Sequence, residues 1–410
     1  MPRRGNGPKV IFVDLPKKES KVYISLLFSY GYYLESQQEF GMGHLLEHYL
    51  AFRMEEKIGK SLPASIGNRS MQFNIEASKS NFKKKLYDVL SILKDDPIAS
   101  ESILKREKAR IKIELDELYS RLEKHIEHQA LRALFSGPNY VTRNRILQNA
   151  IVPKITLKEL RILRNTLMGK HFLGIVVGGY KLPKSARKEI EDKVEDLFPR
   201  TKSLTEAPKP HCKITKAKSR TINHYGIKPG YTHVSILWPG ISLADSIVDR
   251  FALRYLCGQL TDRLNKPLGD IGIYGYDYNY ALYNKFGYVR FYGYIPEGMS
   301  KRFENIIYQE INLLIQGKKT IESDIKKYIS KRAKNLRDMW GNNFDRMDWV
   351  VDDMIDYGKI VPLSKIILER KKMNALIVSR VAIRVFSKKN QRTLIVRSAQ
   401  SRSMETNMVP

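Results

Sequence analysis

The same order of strand-like and helix-like segments occurs twice along this chain. In each half a run of β-branched and aromatic residues (KVYISLLF from residue 21, HVSILWPG from residue 233) leads into a long helical pattern. Further strand patterns, several helices and a closing strand follow in both halves. Strands and helices are mixed rather than strictly alternating, which predicts an α+β fold. The repeated order predicts two homologous domains, each a mixed sheet with helices packed on it.

A polar, basic and proline-containing stretch separates the halves, PRTKSLTEAPKPHCKITKAKSRTIN at residues 199–223. This composition is typical of an interdomain linker. We therefore expect a first domain at residues 1–200, a linker at residues 201–222 and a second domain at residues 223–410. The length of 410 residues is consistent with two domains.

The chain carries a formal net charge of +29 and has a pI of about 9.8. An excess of this size favours anionic partners such as nucleic acid, acidic peptides or a membrane surface. The lysines and arginines are spread along the whole chain, however, without zinc-finger spacing or an RNA-binding aromatic signature. A nucleic-acid partner is therefore not expected, and a solvated basic surface explains the charge equally well.

The chain has two cysteines, Cys212 and Cys257, which are far apart in sequence. This excludes a disulfide framework and predicts free thiols in a reducing compartment. The first 20 residues contain no apolar segment of the kind found in a secretory signal, and no run of 18 apolar residues occurs anywhere. We expect a cytoplasmic protein without a membrane span, with the mitochondrial matrix as the less favoured location.

The stretch GMGHLLEHYLAF, Gly41 to Phe52, holds two of the eight histidines. His44 and His48 lie at positions i and i+4, so on a helix they share one face and can bind one zinc ion. Glu47 lies beside them and suits a general base that acts on water. This H-x-x-E-H order is the inverted zincin motif. The alternative is a helix whose histidines have ordinary core or solvent partners.

Catalytic zinc has three protein ligands and one open position, so a third ligand is needed. The helical pattern REKARIKIELDE places Glu107 and Glu114 seven residues apart, two turns along one face. Other acids nearby are more consistent with a solvated helix face: Asp116, Glu117, Glu123 and Glu127.

These motifs give the chain a resemblance to a known family. It resembles the pitrilysin/insulinase family of zinc metallopeptidases, in the branch of the mitochondrial processing peptidases. The similarity covers nearly the whole chain, and its most specific parts are the glycine and acid of GYYLESQQEF, the motif that follows them, and the spaced glutamates of EKARIKIELDE. It extends through TLKELRILRNTLMGKHFLGIVVGG to LCGQLTDRLNKPLGDIGIYGYDYNY in the second half.

The resemblance implies a clam-shell chamber between the halves and one zinc ion, with His44, His48 and Glu114 as ligands. Glu47 would activate water, and Glu107 would hold a ligand histidine in its binding tautomer. The resemblance also implies an edge strand that pairs with an extended peptide substrate. This strand would contain Ser70, Met71, Gln72, Phe73 and Asn74.

The chain departs from the family pattern in two places. His48 and Glu114 are separated by 66 residues, fewer than is usual in the family, and the shortening falls between residues 62 and 72. In the second half, Gly269 occupies the place of an arginine that would contact substrate and the developing oxyanion. Tyr274 or Tyr276 would fill the accompanying tyrosine role, although packing on a sheet explains either tyrosine equally well.

The favoured function is a zinc-dependent endopeptidase that hydrolyses extended peptides. The second half lacks a histidine pair in its corresponding helix, so we expect one zinc ion per chain. The chain would be the zinc-bearing subunit of a homo- or heterodimer, in which a partner of the same family supplies the arginine and tyrosine. If its chamber is basic, acidic or neutral peptides would be preferred. The alternatives are a catalytically silent assembly subunit and a basic nucleic-acid-binding protein.

Overall fold

The computed structural model describes residues 9–18, 20–95, 98–136, 145–198, 213–283, 286–316 and 322–399. Among these residues, no helix combines the length and apolar character needed to cross a lipid bilayer. Cys257 is buried, and burial raises the pKa of its thiol well above the usual range. Cys212 lies outside the described residues.

Strands and helices are numbered in chain order. The strands are β1 (Lys9–Asp14), β2 (Lys21–Phe28), β3 (Ala64–Ile66), β4 (Met71–Ser78), β5 (Phe135–Ser136), β6 (Phe172–Gly179), β7 (Lys213–Ile214), β8 (Ser219–His224), β9 (Tyr231–Gly240), β10 (Tyr276–Leu282), β11 (Gly287–Pro296) and β12 (Arg392–Ser398). The helices are α1 (Met42–Ile58), α2 (Phe82–Lys94), α3 (Glu101–Ser120), α4 (Leu122–Leu134), α5 (Gln148–Ile151), α6 (Leu157–Thr166), α7 (Lys184–Leu197), α8 (Ile247–Gly269), α9 (Ser300–Ile315), α10 (Glu322–Trp340), α11 (Asn343–Tyr357), α12 (Leu363–Lys371) and α13 (Ala375–Val385).

Two five-stranded sheets repeat one topology. The first has the order β1-β6-β2-β4-β3 and the second has the order β8-β12-β9-β11-β10. In both sheets the first strand of this order pairs parallel with the second, and every other neighbouring pair is antiparallel. The predicted α+β class and the duplicated order of elements are therefore confirmed.

The chain forms two compact units that are not contiguous in sequence. Unit 1 comprises Met1–Ser120, Arg143–Lys209 and Asn335–Val361, whereas unit 2 comprises Arg121–Thr142, Pro210–Lys334 and Pro362–Pro410. Each unit thus takes a segment from the other half of the sequence. The first twelve residues of the predicted linker, 201–212, lie outside the described residues, and β7 and β8 begin within the remainder.

The helical pattern that spans residues 100–135 in sequence is two helices rather than one. Arg121 has an extended conformation, with φ −84° and ψ 111°, which ends α3 before α4 begins at Leu122. Helix α3 belongs to unit 1, whereas α4 packs on β9 and β12 of unit 2. Periodicity continues across the break because both helices are amphipathic, so the pattern alone does not reveal it.

Helix α11, which the sequence patterns did not predict, completes unit 1. Its apolar face packs on the first sheet, on the side opposite the main core of the unit. The cluster contains Val13, Leu15, Leu27, Leu173, Val176, Met347, Val350, Val351 and Met354. This burial explains why β6 is enclosed on both faces, with all eight of its residues buried.

Gly174 is the tightest point of the first sheet. It lies on β6 at φ +128°, where a β-carbon would come within 1.9 Å of the Lys9 carbonyl oxygen on β1. The register between β2 and β6 shifts beside it, at Leu27 and Phe28. A side chain at this position would therefore require both a strained backbone and a displaced strand.

We expect Gly174→Ala to lower the free energy of unfolding by about 3 kcal/mol or more, because neither β6 nor β1 can move without breaking the ladder. Gly258→Ala is the matched control, since Gly258 lies inside α8 and a β-carbon added there would meet no atom within 4 Å. That control should raise stability by about 0.5–1 kcal/mol. Urea denaturation followed by circular dichroism measures both changes, and equal midpoints for the two variants would contradict this account.

Candidate metal centre

The N-terminus of α1 is fixed by a buried carboxylate. Glu35 is 2% exposed and accepts hydrogen bonds from the backbone N–H of Gly41 at 2.8 Å and of Gly43 at 2.7 Å. These donors have no partner within the helix, and a negative charge is favourable at this end of a helix. A β-carbon on Gly43 would lie 2.7 Å from the Tyr30 ring and 2.8 Å from Glu35. The GMG sequence therefore allows the close approach that orients the following histidines.

His44 and His48 meet Glu114 of α3. The Nε2 atoms of both histidines lie 3.3 Å from the same Glu114 carboxylate oxygen, Oε2. The two imidazole rings have centroids 4.8 Å apart. His44 is 4% exposed, whereas the Glu114 side chain is half exposed. His44, His48 and Glu114, which the motif and the family resemblance predict as metal ligands, thus lie close together in the structure.

These separations fit a zinc ion. With zinc–ligand bonds of about 2.0–2.1 Å and tetrahedral angles, neighbouring ligand atoms lie about 3.3–3.4 Å apart. The two nitrogen–oxygen distances of 3.3 Å match that spacing. Two imidazoles and a carboxylate are also a donor set that zinc accepts in catalytic sites. The residues present could therefore hold the ion with little rearrangement.

Glu47 borders the same space. Ligand atoms of His44, Glu47 and His48 lie within 4.8 Å of one another, so these three residues also form a possible metal cluster. The nearest Glu47 oxygen is 3.9 Å from His48 Nε2, farther than Glu114. Glu114 contacts both histidines equally, which favours it as the ligand and leaves Glu47 beside the metal position.

Each histidine is held through its other nitrogen. His48 Nδ1 lies 3.4 Å from Glu107 Oε2, and His44 Nδ1 lies 3.1 Å from Gln148 Oε1. An oxygen acceptor at Nδ1 keeps the proton there and leaves the Nε2 lone pair directed at a metal. Glu107 is fully buried and is itself bonded by Arg106 at 2.8 Å and Arg110 at 3.4 Å.

Gln148 is a residue of this site that the sequence patterns did not predict. It is fully buried on α5 and lies 104 positions from its partner His44. Glutamine is not a metal ligand in the motif, and no spacing rule links a four-residue helix to α1. A single sequence therefore offers no signal for it, unlike Glu107, whose spacing from Glu114 revealed it.

The charges at the site depend on one another. Burial raises the pKa of the Glu47 carboxyl, although His48 and His44 oppose the shift. Hydrogen bonds to His44 and His48 hold the pKa of Glu114 well below its usual range. Burial disfavours protonated His48, but hydrogen bonds to Glu107 and Glu114 outweigh burial and raise its pKa to about 9. The carboxylates thus create a site that attracts positive charge.

Ser70 to Asn74 do not form an edge of the first sheet. Ser70 precedes β4, and Met71 to Phe73 pair with β2 on one side and with β3 on the other. The exposed edge of the sheet on this side is therefore β3. Its three residues are too few to give a recognisable strand pattern in the sequence. An extended peptide that joins this sheet would meet β3 first.

Tyr274 and Tyr276 lie in unit 2, near the end of α8. Gly269 is the last residue of α8. The single hydroxyl proton of Tyr276 is shared between two acceptors on α8, Thr261 O at 3.2 Å and Asn265 Oδ1 at 2.5 Å, so Tyr276 is held against the same helix. The Tyr274 side chain is 80% exposed. Of the two, Tyr274 is the tyrosine that is available to a ligand.

No protein-family model and no curated protein sequence matches the chain. Several solved structures, however, match the chain. A protein from Alicyclobacillus acidocaldarius that is described as M16-like matches with a TM-score of 0.75 and 15% identity, over 97% of each chain. The first half of the periplasmic protease PqqL from Escherichia coli matches with a TM-score of 0.78 and 12% identity, over 98% of this chain and 92% of that fragment.

This chain has the fold of the M16-like peptidases. It covers 46% of the chain in a second structure of PqqL, so it corresponds in size to about one half of that chain. A chain in the structure of complex III2 from Candida albicans has the same fold, with a TM-score of 0.76 and 13% identity over 96% of this chain and 95% of that chain. The resemblance to the pitrilysin family is thus confirmed at the level of the fold.

We expect Gln148→Ala to weaken zinc binding by about 10–100-fold, because His44 loses the acceptor that fixes its tautomer. Competition with a chromogenic chelator measures this affinity. Asn149→Ala is the matched control, since Asn149 is the next residue and bonds Asp116 rather than a histidine. Equal zinc affinities for the two variants would show that Gln148 does not position His44.

Proposed function

We propose that this chain is a zinc-dependent endopeptidase and the zinc-bearing subunit of a two-chain peptidase. The observation that supports this most directly is the convergence of His44 and His48 on one oxygen of Glu114. Glu47 lies buried beside them, with a carboxylate oxygen 3.9 Å from His48 Nε2. The M16-like fold supports a peptidase independently.

In this proposal His44, His48 and Glu114 hold the ion, while Gln148 and Glu107 orient the two imidazoles. Zinc bound there supplies a Lewis acid that polarises the scissile carbonyl and acidifies water. Glu47 accepts a proton from the attacking water and delivers it to the leaving amine. Burial raises the pKa of Glu47, which strengthens it as a base toward the attacking water.

The substrate would add to β3. Asn74 N donates to Pro63 O at 2.8 Å, so Pro63 faces β4. Alternate residues of an antiparallel strand face opposite neighbours, and Ala64 and Ile66 therefore direct their N–H and C=O groups away from β4. An extended peptide can pair with these groups, which would give affinity through the main chain and tolerate varied side chains.

A partner subunit would complete the catalytic apparatus. Gly269 occupies the position where the resemblance places an arginine, and a glycine cannot stabilise an oxyanion through a side chain. The match to one half of PqqL supports an assembly of two such halves, either as two chains or as one. A same-family subunit would supply the arginine and tyrosine, and the isolated chain would bind zinc but cleave peptides slowly.

The second candidate is a catalytically silent assembly subunit of the same fold. The match to a chain of complex III2 favours it, since that chain is described as part of a complex and not as a peptidase. The complete set of Glu47, His44, His48 and Glu114 counts against it, because burial of His44 and Glu47 lowers stability and a silent subunit would need neither group. The cytoplasmic location stays a prediction in either case.

We expect Glu47→Gln to keep one zinc ion per chain and to lower peptide cleavage by about 10²–10⁴-fold, because the amide cannot accept the water proton. Zinc content by atomic absorption and cleavage of a quenched fluorescent peptide measure the two quantities. Each is determined with and without the candidate partner subunit. Equal activity of wild type and variant would exclude Glu47 as the base.

Glu114→Gln should lose zinc as well as activity, since an amide is a poor replacement for the carboxylate ligand. Glu117→Gln is the matched control on the exposed face of α3 and should retain both. A wild-type chain that binds zinc but shows no zinc-dependent cleavage with any same-family partner would support the silent subunit instead.

A further inference from the structure

An arginine lies beside the metal centre, stacked on a ring that contacts a metal ligand. Arg145 is the first residue of a 3₁₀ turn, Arg145–Leu147, that runs directly into α5. Its guanidinium carbon lies 4.6 Å from the centre of the Tyr32 ring, and that ring packs edge-to-face on His44 with centroids 6.4 Å apart. Gln148, three residues after Arg145, bonds His44 directly. One turn of the chain thus contacts both the metal ligand and its aromatic neighbour.

Tyr32 holds Arg145 in place because Tyr32 itself cannot move. Its side chain is 2% exposed and also packs on Phe40, with ring centroids 5.8 Å apart. Its backbone N–H donates to the Gly67 carbonyl oxygen at 3.1 Å, and a β-carbon on the preceding Gly31 would lie 2.5 Å from that same oxygen. A guanidinium stacked on a fixed ring uses its face for the contact and keeps the N–H groups at its edge for a ligand.

The same tyrosine connects the metal centre to the edge strand β3. Gly67, whose carbonyl accepts the Tyr32 N–H, directly follows β3. At Gly43, the residue before His44, an added β-carbon would lie 2.7 Å from the side chain of Ile66, the last residue of that strand. Strand β3 therefore ends beside the first turn of α1. A peptide that pairs with β3 would leave the sheet next to Tyr32 and the guanidinium stacked on it.

The charges at this point are unbalanced. Among the residues that the structure describes, none offers Arg145 a carboxylate oxygen within ion-pair distance. The acids of the metal centre have other partners, since Glu114 contacts both histidines and Glu107 pairs with Arg106 and Arg110. Arg145 is partly buried, and a guanidinium that has lost part of its hydration is stabilised by a ligand that brings a negative charge.

We propose that Arg145 selects peptides that carry a carboxylate close to the scissile bond. This inference rests on the proposed peptidase function and adds a specificity-determining residue to it. The planar guanidinium donates two parallel hydrogen bonds to one carboxylate. Without this cation, the carboxylates of Glu47 and Glu114 would repel an acidic peptide. The carboxylate belongs either to an aspartate or glutamate side chain or to the C-terminus of the peptide, since both present the same group.

Peptide binding to the zinc-loaded Glu47→Gln chain tests this proposal without any cleavage. Fluorescence anisotropy compares labelled peptides of one sequence in which one glutamine at a time is replaced by glutamate. We expect glutamate at one position or more to tighten binding by about ten-fold or more, the contribution of a charge-assisted pair, and Arg145→Gln to remove that difference. Equal affinities across the set, or a glutamate preference that persists in Arg145→Gln, would overturn the proposal.

Lys158→Gln is the matched control for charge. Lys158 is exposed on α6 of the same unit, so this change removes one positive charge away from the metal centre. It should keep the full preference for glutamate. An equal loss of preference in Lys158→Gln and Arg145→Gln would show a general effect of net charge and would contradict a specific site.

Free and amidated C-termini distinguish the two sources of the carboxylate. A loss of affinity on amidation that disappears in Arg145→Gln would identify the C-terminal carboxylate as the selected group. A preference for internal glutamate that survives amidation would identify a side chain. If amidation and glutamate replacement both leave the affinity unchanged, Arg145 does not bind a carboxylate.

Two further measurements separate selection from a structural role and from catalysis. Arg145→Lys keeps the charge without the paired donors, so it should retain zinc and part of the preference. Loss of zinc in both Arg145→Gln and Arg145→Lys would mean that Arg145 only positions Gln148, and the proposal would be wrong. An Arg145-dependent preference in a chain that cleaves no peptide with any partner would refute the peptidase but keep the carboxylate site. Cleavage without a glutamate preference would do the reverse.

Discussion

Helix α1 carries ionisable side chains that are buried, and the first unit has to provide polar partners for them. The helix is enclosed by α2, α3, α6 and β3, and Leu45, Leu46, Tyr49 and Leu50 are completely buried. His44 and Glu47 are buried among them, where an unpaired charge would cost several kcal/mol. Glu114 of α3 and Gln148 of α5 provide partners for His44, and Glu107 of α3 provides one for His48. The helices around α1 must therefore be placed by these polar contacts as well as by apolar packing.

Local patterns predicted much of this arrangement because the period of a helix fixes which side chains share a face. The spacing of His44 from His48 predicts one shared helix face, and that of Glu107 from Glu114 predicts another; both pairs lie on helices in the structure. The motif and the family resemblance then joined the two helices. The sequence patterns did not predict Gln148 or β3, because their roles depend on long-range packing. A four-residue helix and a three-residue strand are too short to show a hydrophobic period.

The second half shows where sequence reasoning about a duplicated fold reaches its limit. The repeat of strand order was visible in the patterns, but α11 and α13 were not, and α4 was joined to α3. Amphipathic periodicity identifies an apolar face without identifying the sheet on which that face packs.

The single extended residue between α3 and α4 has a consequence for how this polypeptide could be divided. A cut within residues 201–212 would leave an N-terminal fragment that carries α4 but not the sheet on which α4 packs. The same fragment would lack α11, and the apolar face of its sheet at Val13, Leu27 and Val176 would be open to water. The complementary fragment would contain α11 without its sheet. Neither fragment would have a closed core. The two fragments are therefore expected to function only when they are translated together, or when each supplies the helix that the other is missing.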